Sequence, residues 1–93
     1  MKKFKNYTEE EILNAVKQNG YMLVYVKEQT EAICLAAVKK NGYALQYVKE
    51  QTEAICLEAV KQNEDAIGYV EKYYSSVAAL TDDKEYLELG NIK

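Results

Sequence analysis

Tyr25-Val26-Lys27-Glu28-Gln29-Thr30-Glu31-Ala32-Ile33-Cys34-Leu35 returns unchanged, 22 residues further on, as Tyr47-Val48-Lys49-Glu50-Gln51-Thr52-Glu53-Ala54-Ile55-Cys56-Leu57. Self-similarity at a fixed short period is the signature of a repeat architecture, in which one small supersecondary unit is stacked on its copies. The frame extends beyond the identical block, because Thr8, Thr30 and Thr52 share it and Val16, Val38 and Val60 each follow eight places later. It divides a single domain, residues 1–93, into units at 8–29, 30–51 and a degenerate 52–73, leaving 74–93 as an acidic helical cap and tail.

Local signals say what a unit is. Thr8-Glu9-Glu10-Glu11 is a capping-box pattern, so a helix starts there. Thr30-Glu31 and Thr52-Glu53 keep the cap and the acidic first turn. Each helix is expected to end at Asn19-Gly20 or Asn41-Gly42, with the glycine in the left-handed conformation that closes a helix. Lys17, Lys39, Lys40 and Lys61 fall in those last turns, where the negative end of the helix dipole favours them.

A short second helix is expected from Tyr43, its apolar face Ala44, Leu45 and Val48 meeting Ile55, Cys56, Ala59 and Val60 of the longer one. The apolar phase also runs unbroken through Lys49-Glu50-Gln51-Thr52, so one long helix over 43–63 competes with two. A break at Gln51-Thr52 is preferred, since threonine caps better than it propagates. The fold class expected is all-α: long-helix-plus-short-helix repeats stacked as a short α-solenoid. A lone unit loses more chain entropy than its burial returns, hence the repetition.

The frame breaks at Asn63-Glu64-Asp65, which has no glycine. Ala66, Ile67, Val70, Val77 and Leu80 are expected to continue a helical stripe past Gly68, and Thr81-Asp82-Asp83 to open a last short helix through Leu89. This is the altered end that repeat arrays need.

Ala37-Val38-Lys39-Lys40 followed by Asn41-Gly42-Tyr43-Ala44-Leu45-Gln46-Tyr47-Val48 resembles a family of short helical repeats known as domain of unknown function 4116. The resemblance covers about Thr8 to Val70. It departs where Met22 and Val24 replace Ala and Gln, and where the third unit lacks the glycine. What the resemblance implies is paired helices in tandem, in proteins with no established catalytic role; it brings no site residues.

Composition limits the function classes. At 93 residues and 48% hydrophobic, the chain can fold around one modest core. Met1-Lys2-Lys3-Phe4-Lys5-Asn6 is basic but no apolar run follows, so neither a secretory signal nor a membrane span is expected, and the location expected is cytoplasmic. Cys34 and Cys56 hold equivalent places in successive units, too far apart to bridge if the helices stack, and read as reduced core thiols. With no histidine in the chain, neither thiol has its usual base and no tetrahedral metal site is complete. Glu28 with Glu31, and Glu50 with Glu53, are three apart and read as a solvated face. No catalytic residue, metal or cofactor is expected.

Residues 1–63 carry nine Lys against eight Glu, and residues 64–93 three Lys against seven acids. That argues against a nucleic-acid footprint. Tyrosine is the unusual residue, at nine against one Phe and no Trp. Tyr25, Tyr47 and Tyr69 form one column in the frame, Tyr21 and Tyr43 another, Tyr7 and Tyr73 a third. Tyr21 with Tyr25, and Tyr43 with Tyr47, would be neighbours on one helix face.

Two readings of the columns stay open, rings walling the core or rings lining an exposed partner surface; a third, stacking of single-stranded bases, wants a basic groove that the charge count does not supply. The function expected is a non-catalytic protein-interaction module binding through Tyr21, Tyr25, Tyr43, Gln46, Tyr47 and Tyr69, with Lys49 and Glu50 adjoining. The rivals are a small acidic inhibitor of a basic, nucleic-acid-handling enzyme, acting through 64–88, and a self-associating assembler.

Overall fold

The computed structural model describes residues 6–91; the basic residues 1–5 lie outside them. Three α-helices of ten residues, α1 (Glu9–Gln18), α2 (Glu31–Lys40) and α3 (Glu53–Gln62), alternate with three 3₁₀ helices, Gly20–Tyr25, Gly42–Tyr47 and Glu64–Tyr69. Two short helices, α4 (Ser75–Ala78) and α5 (Lys84–Leu89), close the chain. Among the described residues there is no strand. The α-helices stack on one another in chain order and the 3₁₀ helices form a second row against them, in a body of 45 × 23 × 19 Å.

Each α-helix begins where the sequence places it. Thr8 Oγ1 accepts from Glu11 N at 3.1 Å while the Glu11 carboxylate accepts from Thr8 N at 2.9 Å, completing the capping box. Thr30 and Thr52 cap Ile33 N and Ile55 N, each at 3.2 Å. The break before Thr52 is real: Val48 leaves the second 3₁₀ helix in an extended conformation and Thr52 is extended as well.

One residue type both stops the α-helix and starts the next element. Asn19, Asn41 and Asn63 turn to φ near −150°. Their backbone N–H groups close the preceding helix on Ala15, Ala37 and Ala59 O. Their side chains accept from the N–H two residues on, at Tyr21, Tyr43 and Asp65. The second element is therefore a 3₁₀ helix, bonded through i to i+3 pairs such as Ala44 N to Asn41 O and Val48 N to Leu45 O, and not the expected short α-helix.

The glycines play a different part from the expected one. None of the described glycines has a positive φ. A Cβ on Gly20 would stand 2.5 Å from Ala37 O, and one on Gly42 2.5 Å from Ala59 O. Glycine is required because the start of each of the first two 3₁₀ helices lies against a carbonyl near the end of the next unit's α-helix. Where no fourth ten-residue helix follows, Glu64 takes the glycine's place and is exposed.

Ile33, Cys34, Ala37, Val38, Ala44, Leu45, Ile55, Cys56, Ala59 and Val60 are all buried, joined by Leu23, Val16 and Val77. Side chains lock successive units. Gln29 Nε2 donates to Tyr47 O at 2.8 Å and its Oε1 accepts from Lys49 N at 3.0 Å; Gln51 does the same with Tyr69 O at 2.8 Å and Glu71 N at 3.1 Å. A second row joins the helix starts, Thr30 Oγ1 donating to Glu9 and Thr52 Oγ1 to Glu31, both at 3.0 Å. Each glutamate thus reaches along the stack.

The apolar stripe expected to run on past Gly68 is interrupted, because Val70 is extended and the chain returns to helix only at Ser75. The last short helix opens at Thr81-Asp82-Asp83 as expected, with Asp83 capping α5 by accepting from Tyr86 N at 3.0 Å. Tyr86 is 4% exposed. Its hydroxyl donates to Lys72 O at 2.9 Å and accepts from Tyr74 N at 2.7 Å, tying the end of the chain to the strand-like link before α4.

Candidate partner-binding face

In a 3₁₀ helix residues three apart eclipse, so residues four apart diverge by about 120°. Tyr21 and Tyr25 are therefore not stacked on one face, as an α-helix would have them, and neither are Tyr43 and Tyr47. The two columns interlock between units instead. Tyr21 meets Tyr47 edge-to-face with ring centroids 6.2 Å apart, and Tyr43 meets Tyr69 in the same way at 6.4 Å. This is the geometry that the ring quadrupole favours. Tyr73 leaves the third column and stacks on Tyr86 at 5.5 Å.

Burial separates the expected residues. Tyr21, Tyr25 and Tyr69 are exposed, at 40%, 46% and 40%. Tyr43 and Tyr47 are half-buried, Tyr47 packing against the core. Gln46 is exposed and folds its amide back onto Tyr43 O at 3.0 Å. Tyr43 donates its hydroxyl to Asp65 at 3.1 Å. The order along the row is thus Tyr25, then Tyr21 with Tyr47, then Tyr43 with Tyr69, then Asp65.

Sequence reasoning missed Val24, which at 50% exposed is the most open of the large apolar residues among those described. The signal was in the frame: its equivalents are Gln46 and Gly68, an outward position by their chemistry. Lys49 and Glu50, expected beside the tyrosines, lie elsewhere. They line a groove of about 390 Å³ between the links 27–31 and 49–52, where Lys49 Nζ donates to Lys27 O at 2.8 Å.

That groove includes Cys34, but the thiol is held neutral. Burial, and then the nearby Glu31 carboxylate, push it from an ordinary 9.0 up to about 11; burial and Glu71 do the same to Cys56. The two thiols are buried and free, each directed at a glutamine, Gln29 or Gln51. Glu28 and Glu31 do not share a helix face, since Glu28 precedes the Thr30 cap and Glu31 is held by Thr52. Among the described residues no buried side-chain nitrogen or oxygen lacks a hydrogen-bond partner, and no three His, Cys, Asp or Glu side chains cluster as a metal site. None of the described helices is long and apolar enough to cross a membrane.

Fold and face together define a short stack of helical repeats with an aromatic outer row. The chain belongs to the family described as "Domain of unknown function (DUF4116)", which matches residues 8–52 and again residues 30–75. The two matches start at capping threonines one unit apart. No curated protein matches the chain, and no solved structure does.

Proposed function

We propose that the protein is a non-catalytic protein-interaction module that binds its partner through the outer row of 3₁₀ helices. The observation that carries this reading is the exposure of Tyr21, Val24, Tyr25 and Tyr69 along the row of 3₁₀ helices. Amphipathic rings held by their neighbours offer large contact area at little entropic cost. The thiols fit a reducing compartment, and we place the protein in the cytoplasm.

The test is capture of a partner by the wild type and by a Tyr21→Ala, Tyr25→Ala, Tyr69→Ala variant whose helical spectrum and unfolding transition are native. Loss of capture supports the reading. Undiminished capture sinks it.

A second reading, an acidic inhibitor of a basic enzyme, is favoured by the joint exposure of Asp82, Asp83, Glu85 and Glu88 at the far end. Binding of that kind weakens steeply as salt rises and is abolished by Asp82→Asn, Glu85→Gln and Glu88→Gln together. Binding through the tyrosines survives both.

A further inference from the structure

The large apolar side chains that the fold leaves exposed are gathered at its two ends. Tyr21, Val24 and Tyr25 are exposed in the first unit, and Leu80, Leu87 and Leu89 in the cap. Among the described residues no large apolar side chain between 26 and 68 is open to that degree. The position that holds Val24 in the first unit holds Gln46 in the middle one. Clustered apolar exposure of this kind marks a surface that meets another molecule.

Charge is of opposite sign at the two ends. From Ile12 to Val26 the only charged residue is Lys17, and from Ala32 to Val48 the only ones are Lys39 and Lys40. All three are exposed. Among the described residues the only ion pair joins Lys61 to Glu58 at 3.8 Å, in the third unit, where Glu64 and Asp65 follow. A Cβ on Gly20 would stand 3.2 Å from Asn41 Cβ, so the corners at Asn19 and Asn41 touch. Lys17, Lys39 and Lys40, each within two residues of its corner, form one basic edge that runs into Tyr21, Val24 and Tyr25. At the other end Asp82, Asp83, Glu85 and Glu88 outnumber Lys84 and are interleaved with the exposed leucines. The cap packs on α3, two helices along from α1, so what it complements is a second molecule. A nucleic acid fits the edge less well, because the third unit interrupts it with Glu58, Glu64 and Asp65.

We propose that the basic edge, with Tyr21, Val24 and Tyr25, binds the acidic cap of a second copy of this chain, head to tail. This rests on the reading of the outer row as a protein-binding face and names its partner. Lys17, Lys39 and Lys40 meet Asp82, Glu85 and Glu88 of the second copy, while its Leu87 and Leu89 cover Val24 and Tyr25. Such a contact is heterologous, leaving a head and a tail unused, so association continues past two chains.

The experiment is sedimentation of the full chain from about 10 μM to about 1 mM. The expected result is a mass that climbs with concentration in low salt and returns towards the monomer in about 0.5 M salt. Lys17→Gln with Lys39→Gln and Lys40→Gln, and separately Asp82→Asn with Glu85→Gln and Glu88→Gln, should each weaken association at least tenfold while keeping the native helical spectrum. Mixed one to one, the two variants should form a dimer that grows no further, since each supplies the end that the other lacks. A wild type monomeric at about 1 mM, either variant associating as tightly as the wild type, or a mixture that stays monomeric would each overturn the proposal. So would a monomer whose basic edge takes up oligouridylate or polyglutamate instead. If the wild type stays monomeric while the alanine variant of the three tyrosines loses partner capture, the face stands and only its occupant falls.

Discussion

The junction between α2 and α3 and the junction beyond α3 are written in one frame, yet the first is sealed and the second is open. In the first, Gly42 lies against the carbonyl of Ala59 and Gln29 clasps the following link. In the second, Gln51 keeps the same clasp on Tyr69 O and Glu71 N, but α4 has only four residues, Glu64 replaces the glycine, and Tyr86 adds hydrogen bonds from outside the frame. The glycine is kept where a full helix follows and lost where one does not. Repetition of the glycine is thus a packing requirement of the sealed side.

The largest effect should come from filling the sealed junction. Gly42→Ala puts a Cβ 2.5 Å from a backbone carbonyl and should cost about 3 kcal/mol in urea unfolding. Glu64→Ala, at the equivalent open place, should stay within about 0.5 kcal/mol. Equal losses at the two positions would erase the distinction between the junctions.

Gln51→Ala comes next. It strips the partners from Tyr69 O and Glu71 N and should cost about 2 kcal/mol, measured in the same way.

Alkali probes the junctions through the thiols. Each is held neutral in the fold, with its value raised from 9.0 to about 11. Their contribution is complete below pH 9 and is lost as pH rises from there through 11, because only the unfolded chain ionises readily. At pH 10 the loss is about 1.4 kcal/mol per thiol, and Cys34→Ala with Cys56→Ala should reduce the pH dependence of the unfolding midpoint over that window, leaving the part due to Tyr74 and Tyr86, whose hydroxyls burial also pushes up.

The smallest effect is at Gly68, where an added Cβ meets nothing within 4 Å. With no positive φ to protect, Gly68→Ala should stabilise by about 0.5 kcal/mol.

Much of this was legible in the sequence because it is local. The threonine caps, the Asn stops, the buried set from Ile33 to Val60 and the break at Thr52 follow from residue type and period. The 3₁₀ geometry was not legible, since six residues between an Asn cap and an extended valine carry the same apolar spacing in either helix type. That substitution redirected the tyrosines, pairing Tyr21 with Tyr47 across units instead of with Tyr25. The glycine's role was misjudged for a related reason: Asn-Gly reads as a turn signal, while the contact that demands it comes from a carbonyl in the next unit. Tyr86 gave no signal, lying outside the frame that organised the other columns.

The claim on which the function rests is that the outer tyrosines are open to solvent in the free protein while the core is complete without them. Photochemically induced nuclear polarisation of the tyrosine rings reads this directly, since only rings reached by the dye are enhanced. The account predicts strong enhancement of Tyr21, Tyr25 and Tyr69 with Tyr86 dark. Dark rings at Tyr21, Tyr25 and Tyr69 would contradict it, returning the tyrosines to the interior and leaving the stack without a partner face.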